Sequence, residues 1–210
     1  NQHQAALLSS ETHRPNVYYI LLDGFGSQEI LAQEYDYDLS WFIDALKEKR
    51  FSSKTWFSNY GHTWPQMQTT LGMDYYPAVK GDYRIGHRVE EAFGALGYSI
   101  VEFRRSGRFA MSSARQVLDA TASSIYSEFL STTLLFPLGY IMTRLEYRES
   151  VQKSWKALAD LPQSPSPFFV YAHILPPHPP YVFDREGQFP WSALLRPSHA
   201  GWEEKKSYLD

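Results

Sequence analysis

An α/β fold built on a mostly parallel sheet is the class this sequence predicts, on three observations. The run Val17-Tyr18-Tyr19-Ile20-Leu21-Leu22 is apolar or aromatic throughout and stops at Asp23-Gly24, as a strand buried in a parallel sheet does. Further along, strand-like segments alternate with stretches of helical period, which argues for a parallel sheet covered on both sides. With 210 residues, 43% hydrophobic and 20% charged, the chain fits one such domain or a piece of a larger one.

The elements follow in order. After the strand Val17 to Leu22, a helix is predicted over Asp38 to Lys49. There Leu39, Phe42, Ile43 and Leu46 fall three and four apart on one face. Phe51 to Phe57 reads as a strand or an extended piece, and Ser58-Asn59-Tyr60-Gly61-His62 as a polar turn. A helix should then run from about Thr63 to Met73, with Pro65 in its first turn, where a missing N–H costs nothing. Arg88 to Leu96 is helical, Gly97 caps it, and Tyr98 to Phe103 is a strand. Val117 to Leu161 reads as mostly helical with a break near Pro137-Leu138-Gly139. The Pro/Ser-rich connector Pro162 to Pro167 leads into the strand Phe168 to Ala172, which runs on into His173-Ile174-Leu175-Pro176-Pro177-His178-Pro179-Pro180-Tyr181. The final stretch, Trp202 to Asp210, has the composition of a helix without a stop signal.

Composition excludes several classes. The formal net charge of −3 gives no case for nonspecific nucleic-acid binding. The one dense basic cluster is Arg104-Arg105-Ser106-Gly107-Arg108. It is either a grip for an anionic substrate or a solvated loop. With no cysteine, disulfides, thiolate metal sites and a cysteine nucleophile are ruled out. The longest apolar candidate for a membrane span, Phe129 to Met142, is too short and is interrupted by Ser, Thr, Pro and Gly. Asp23-Gly24-Phe25-Gly26 has too few glycines for a dinucleotide fingerprint.

Three strand-end loops carry residues that could do chemistry, and in a parallel sheet such loops meet at one edge. The first holds Asp23, a metal ligand or the cap of the helix that follows. The second holds Asn59, His62 and Thr63. At a helix N-terminus the Thr63 hydroxyl is either a nucleophile aided by the helix dipole or an ordinary N-cap. The third holds His173 and His178. His178 stands among four prolines that stiffen its loop, and it is either a donor to a phosphoryl oxygen or leaving group, or a surface histidine. His173 ends a strand, in a buried structural or a catalytic role. Tyr60, Trp64 and Tyr181 are core or rim residues, or platforms for a sugar or headgroup.

Four blocks, Tyr18 to Gly24, Ser58 to Thr63, Leu71-Gly72-Met73-Asp74-Tyr75, and Phe168 to Tyr181 with its Pro-His-Pro core, together resemble the sulfatase-like branch of the alkaline phosphatase superfamily. The likeness is greatest to bacterial membrane-anchored sulfatase-like hydrolase/transferases, whose relatives include lipoteichoic acid synthases and phosphoethanolamine transferases. Order and spacing agree from Asn16 to about Asp184. The resemblance implies an α/β/α sandwich with a divalent metal (Mn, Zn, Mg or Ca) at the strand ends. Asp23 would be a metal ligand, and Thr63 a nucleophile that also touches the metal. His178 would contact the phosphate or sulfate, while Asn59, His62 and His173 would stand close to the substrate. It further implies an anionic ester substrate, with lipid and glycan headgroups as the candidate alcohols. The location would be the extracytoplasmic face of the inner membrane, in the bacterial cell envelope, with attachment through a segment outside this chain. Threonine in place of the modified cysteine of many sulfatases shifts the expectation toward phosphoryl or phosphoglycerol transfer.

Two departures qualify the resemblance. Nothing after His178 matches the Asp-His-Gly-type or Asp-Asn-type segment that supplies the family's remaining ligands. The expectation is therefore the N-terminal part of a catalytic domain, 16–210 after a polar lead-in at 1–15, inactive by itself. His62, Trp64 and Pro65 are also bulkier than the small polar residues expected beside the nucleophile. The alternative is a degenerate, non-catalytic domain that binds an envelope glycan, lipid or protein, which the aromatic content of 16% suits.

Overall fold

Four strands, β1 (Val17–Leu22), β2 (Ser99–Arg104), β3 (Gln116–Asp119) and β4 (Phe168–Ile174), form one sheet in the order β1-β4-β2-β3. Among the described residues the helices that accompany them are α1 (Gln28–Tyr35), α2 (Ser40–Glu48), α3 (Thr63–Gly72), α4 (His87–Ala95) and α5 (Phe136–Asp160). This computed structural model describes residues 14–75, 87–104, 116–119, 126, 129–130, 132–161, 167–184 and 186–191. The basic cluster beyond Arg104, most of the 162–167 connector and the 202–210 stretch lie outside them. The chain divides into two compact units: residues 1–21, 60–122 and 149–174, and residues 22–59, 123–148 and 175–210.

The first unit holds the sheet. β2 pairs in parallel with β3, Glu102 opposite Val117, and with β4, Val101 opposite Val170. The fold class is therefore α/β with a small parallel sheet. β4 is buried on both faces, Val170 and Ala172 completely. One face carries Phe169 and Tyr171 into a core with Met67 and Leu71 of α3, Val89 of α4 and Ile100 of β2. Phe93 stacks on Phe169 with ring centroids 4.4 Å apart.

β1 departs from expectation. The order of strands puts it at the sheet edge. Its Val17, Tyr19 and Leu21 pack on the core while Tyr18 and Ile20 are exposed, the period-2 alternation of a half-buried strand. Asn16 Oδ1 accepts from the Phe168 amide at 3.2 Å, and Tyr19 lies 6.0 Å from Tyr171. Contacts thus advance in step along β1 and β4. Burial pushes the Tyr19 phenol up, so the ring enters the core uncharged.

Helix ends follow local chemistry. Gly97, at φ +79°, ends α4: Tyr98 N–H bonds to Phe93 O at 3.0 Å and Gly97 N–H to Gly94 O at 2.9 Å, a Schellman motif. Arg88 bridges to Asp74 at 3.0 Å and so ties the start of α4 to the end of α3. α5 bears a buried stripe of Val151, Ser154 and Leu158. The expected break falls just before Pro137: residues 129–130 are helical, 132–135 form a turn, and Pro137 lies in the first turn of α5, where it lacks only an N–H the helix does not use. Residues 117–119, at the start of the stretch expected to be mostly helical, instead belong to β3 and pair with β2.

In the second unit, Ser27 caps α1, its hydroxyl accepting from Ile30 N–H at 3.3 Å. Asp38 accepts from Ser40 N–H at 2.9 Å at the start of α2. Residues 51–57 form no regular element. They are held to α1 where Thr55 Oγ1 donates to Glu29 at 2.9 Å. Among the described residues no helix is long and apolar enough to cross a membrane.

Two outcomes follow. Phe169→Ala removes a stacked, buried ring and lowers stability by about 3–5 kcal/mol, read from the urea midpoint. Glu29 is held below its ordinary value of 4.5, first by its own backbone N–H and then by Ser27 and Thr55. Asp38 is held below its ordinary 3.8 by the Ser40 side chain and N–H. Both folded-state values are depressed, so their stabilisation is present above the unfolded values and is lost as pH falls through the folded ones. The melting temperature accordingly declines on acidification below about 4.5, and Glu29→Gln with Asp38→Asn flattens that decline.

Candidate functional site

Asp23 follows the last residue of β1 and begins a tight turn. Phe25 N–H returns to Leu22 O at 3.4 Å, and Gly24 sits at φ +76°. A glycine at this third position relieves the strain any side chain would bring. The His178 loop packs against it: a Cβ on Gly24 would lie 3.4 Å from His178 Cβ and 3.5 Å from its Cα, an ordinary contact. The His178 amide is shared between Asp23 O at 3.0 Å and Leu175 O at 2.8 Å. Two of the expected loops, 155 residues apart in sequence (178 − 23), are thus joined by backbone within the second unit.

The His178 side chain is exposed, and its Nδ1 lies 2.7 Å from Pro179 O. A carbonyl only accepts, so Nδ1 carries the proton and donates. Nε2 is left as the nitrogen offered outward, an acceptor when the ring is neutral and a donor when it is charged. Asp23 is half-buried, and Asn59, of the same unit, is exposed.

The other candidates belong to the first unit. Thr63 is the first residue of α3, and the N-cap is His62 in extended conformation at φ −133° and ψ 143°, making no side-chain cap bond. The helix opens with Gln66 N–H to His62 O at 3.3 Å, and its first turn holds no acid. The positive end of the helix dipole is therefore not offset by a carboxylate of that turn. His173 alternates with Phe169 and Tyr171 along β4, on the face that α3 and α4 cover, and is half-buried.

Both plainer roles weighed for these residues give way. Ser27, not Asp23, caps α1, and His62, not Thr63, occupies the N-cap of α3. Sequence reasoning missed the carbonyl of Pro179 as the group that sets the His178 tautomer. Comparison with family models, with curated proteins and with solved structures finds no match to this chain.

A divalent cation needs roughly four to six donors. Among the described residues no group of three or more His, Asp or Glu gathers to hold one, so Asp23 and Thr63 do not by themselves compose such a site.

Gly24→Ala is expected to cost about 1–2 kcal/mol from its positive φ alone. Thermal unfolding reads the loss.

Proposed function

We propose that this chain is the nucleophile-bearing part of a phospho- or sulfo-ester hydrolase or transferase of the sulfatase-like kind, with an α/β/α sandwich as its complete architecture. The carrying observation is the bond between the Asp23 turn and the His178 loop. The resemblance assigns both to one site, and the chain joins them through a hydrogen bond and a glycine contact. Thr63 at the first position of α3 supports the same reading. In this reading Asp23 is a metal ligand, with the further donors coming from outside the described residues. The metal, when bound, would supply charge neutralisation on the transferring group.

The chain's own residues have these parts. Thr63 Oγ bonds to phosphorus or sulfur as the ester P–O or S–O bond breaks. By the resemblance, the N-terminus of α3 would stabilise charge on the non-bridging oxygens. Protonated His178 Nε2 would give its proton to the departing alkoxide while the Thr63 hydroxyl proton passes to solvent; water or an acceptor hydroxyl would then bond to the group as its bond to Thr63 Oγ breaks, the acceptor's proton returning to His178 and Thr63 regaining one from solvent. Asn59, His62 and His173 would contact an anionic ester, whose alcohol is a lipid or glycan headgroup. The resemblance brings with it an extracytoplasmic address in a bacterial envelope.

In a protein that joins this chain to a segment supplying the remaining metal donors, incubation with an aryl phosphate and Mn²⁺ or Zn²⁺, followed by peptide mass analysis, should find a phosphoryl adduct on Thr63, while the chain by itself should show little or no turnover. Thr63→Ala should remove the adduct and lower turnover by at least about a thousandfold, with the circular dichroism unchanged. Retained turnover in that variant would sink the assignment.

A further inference from the structure

The second unit carries a segment that the catalytic reading does not use. From Lys47 to Ser58 every residue is exposed. Within it Phe51 is 61% exposed, Trp56 82% and Phe57 91%. Large aromatics left in water at this level are costly, and where they cluster they mark a surface that meets something else. Phe51 and Trp56 also line a groove of about 520 Å³ whose other wall is Ile43 and Leu46 of α2, with Lys54 among its lining.

The charges beside these rings indicate the occupant. Lys49, Arg50 and Lys54 are interleaved with them, and no acid lies between Lys49 and Phe57. Tryptophan and phenylalanine next to lysine and arginine suit the boundary between lipid headgroups and acyl chains. The backbone favours the same depth. Residues 51–57 have no regular element, so many of their N–H and C=O groups depend on water, which the headgroup layer supplies and the hydrocarbon core does not. A second copy of the chain fits less well, since a symmetric contact through this segment would set three cations against their own copies.

We propose that Lys49 to Phe57 docks the second unit on an anionic phospholipid surface. Trp56 and Phe57 sit at the interface, with Phe51 beside them, and Lys49, Arg50 and Lys54 lie against the phosphates. This proposal does not depend on Thr63, Asp23 or His178.

The test uses the whole chain with vesicles of phosphatidylglycerol or of phosphatidylcholine, read by cosedimentation. Binding to phosphatidylglycerol should exceed that to phosphatidylcholine at least about tenfold and weaken as salt is raised. Replacing Lys49, Arg50 and Lys54 by Ser should remove the preference. Trp56→Ser with Phe57→Ser should lower binding at least about tenfold, and both variants, altered only at exposed positions, should keep the parent circular dichroism. The proposal is overturned if the chain binds neither vesicle or if either variant binds as the parent does. It is also overturned if the aromatic variant abolishes a concentration-dependent dimer, or binding to a protein, while vesicles are not bound.

Discussion

Burial of β4 on both faces is the constraint on which the sheet unit depends. A strand in that position must be apolar on alternate sides at once, as Phe168-Phe169-Val170-Tyr171-Ala172 is, and its backbone must find partners on both edges. β1 and β2 stand on those two edges. α3 and α4 then have a face to cover, and Met67, Leu71 and Val89 cover it together with Phe169 and Tyr171. His173 is the one residue of β4 that is not buried, so a polar group emerges where the apolar requirement relaxes.

That constraint also explains what was legible in the sequence. β4, β2, α2, α3 and α4 are strongly patterned, and each lies within about two residues of where its pattern puts it. β1 was legible as a strand but not in its place. Tyr18 and Ile20 are as apolar as Val17, Tyr19 and Leu21, so hydrophobic pattern alone does not separate an edge strand from a central one. Tertiary neighbours decide it. Gln116-Val117-Leu118-Asp119 is too short to hold a pattern, and its strand state comes from pairing with β2. Pro137 reads equally as the break of a long helix or the start of one. α1 was legible only as a helix of no set bounds after Gly24 because its apolar positions are few, although Ser27 before Gln28-Glu29-Ile30 is a usable start signal.

The candidate site was legible as three loops and not as geometry. A strand that ends on Asp-Gly announces a turn, but nothing in Asp23-Gly24 says that His178 will pack beside it. Gly24 closes the turn after β1 through its positive φ, and the Pro-rich loop lies against it. The tautomer of His178 is likewise a matter of three-dimensional placement, since it depends on a carbonyl one residue away turning back toward Nδ1. Side-chain identity fixed which groups were available, and backbone conformation fixed which atoms they present.

The position of Thr63 carries the last step. An N-cap threonine commits its oxygen to a backbone N–H in the first turn, and an oxygen bound in that way is a poor nucleophile because its lone pair is directed at the helix. One position later, the same residue belongs to the helix proper, and the cap geometry makes no such demand on its hydroxyl. His62 takes the cap position in extended conformation without a side-chain cap bond, and Pro65 brings no N–H of its own to the first turn. The register of α3 by a single residue thus separates a threonine that occupies the cap from one that opens the helix, and His62 rather than Thr63 holds the cap position.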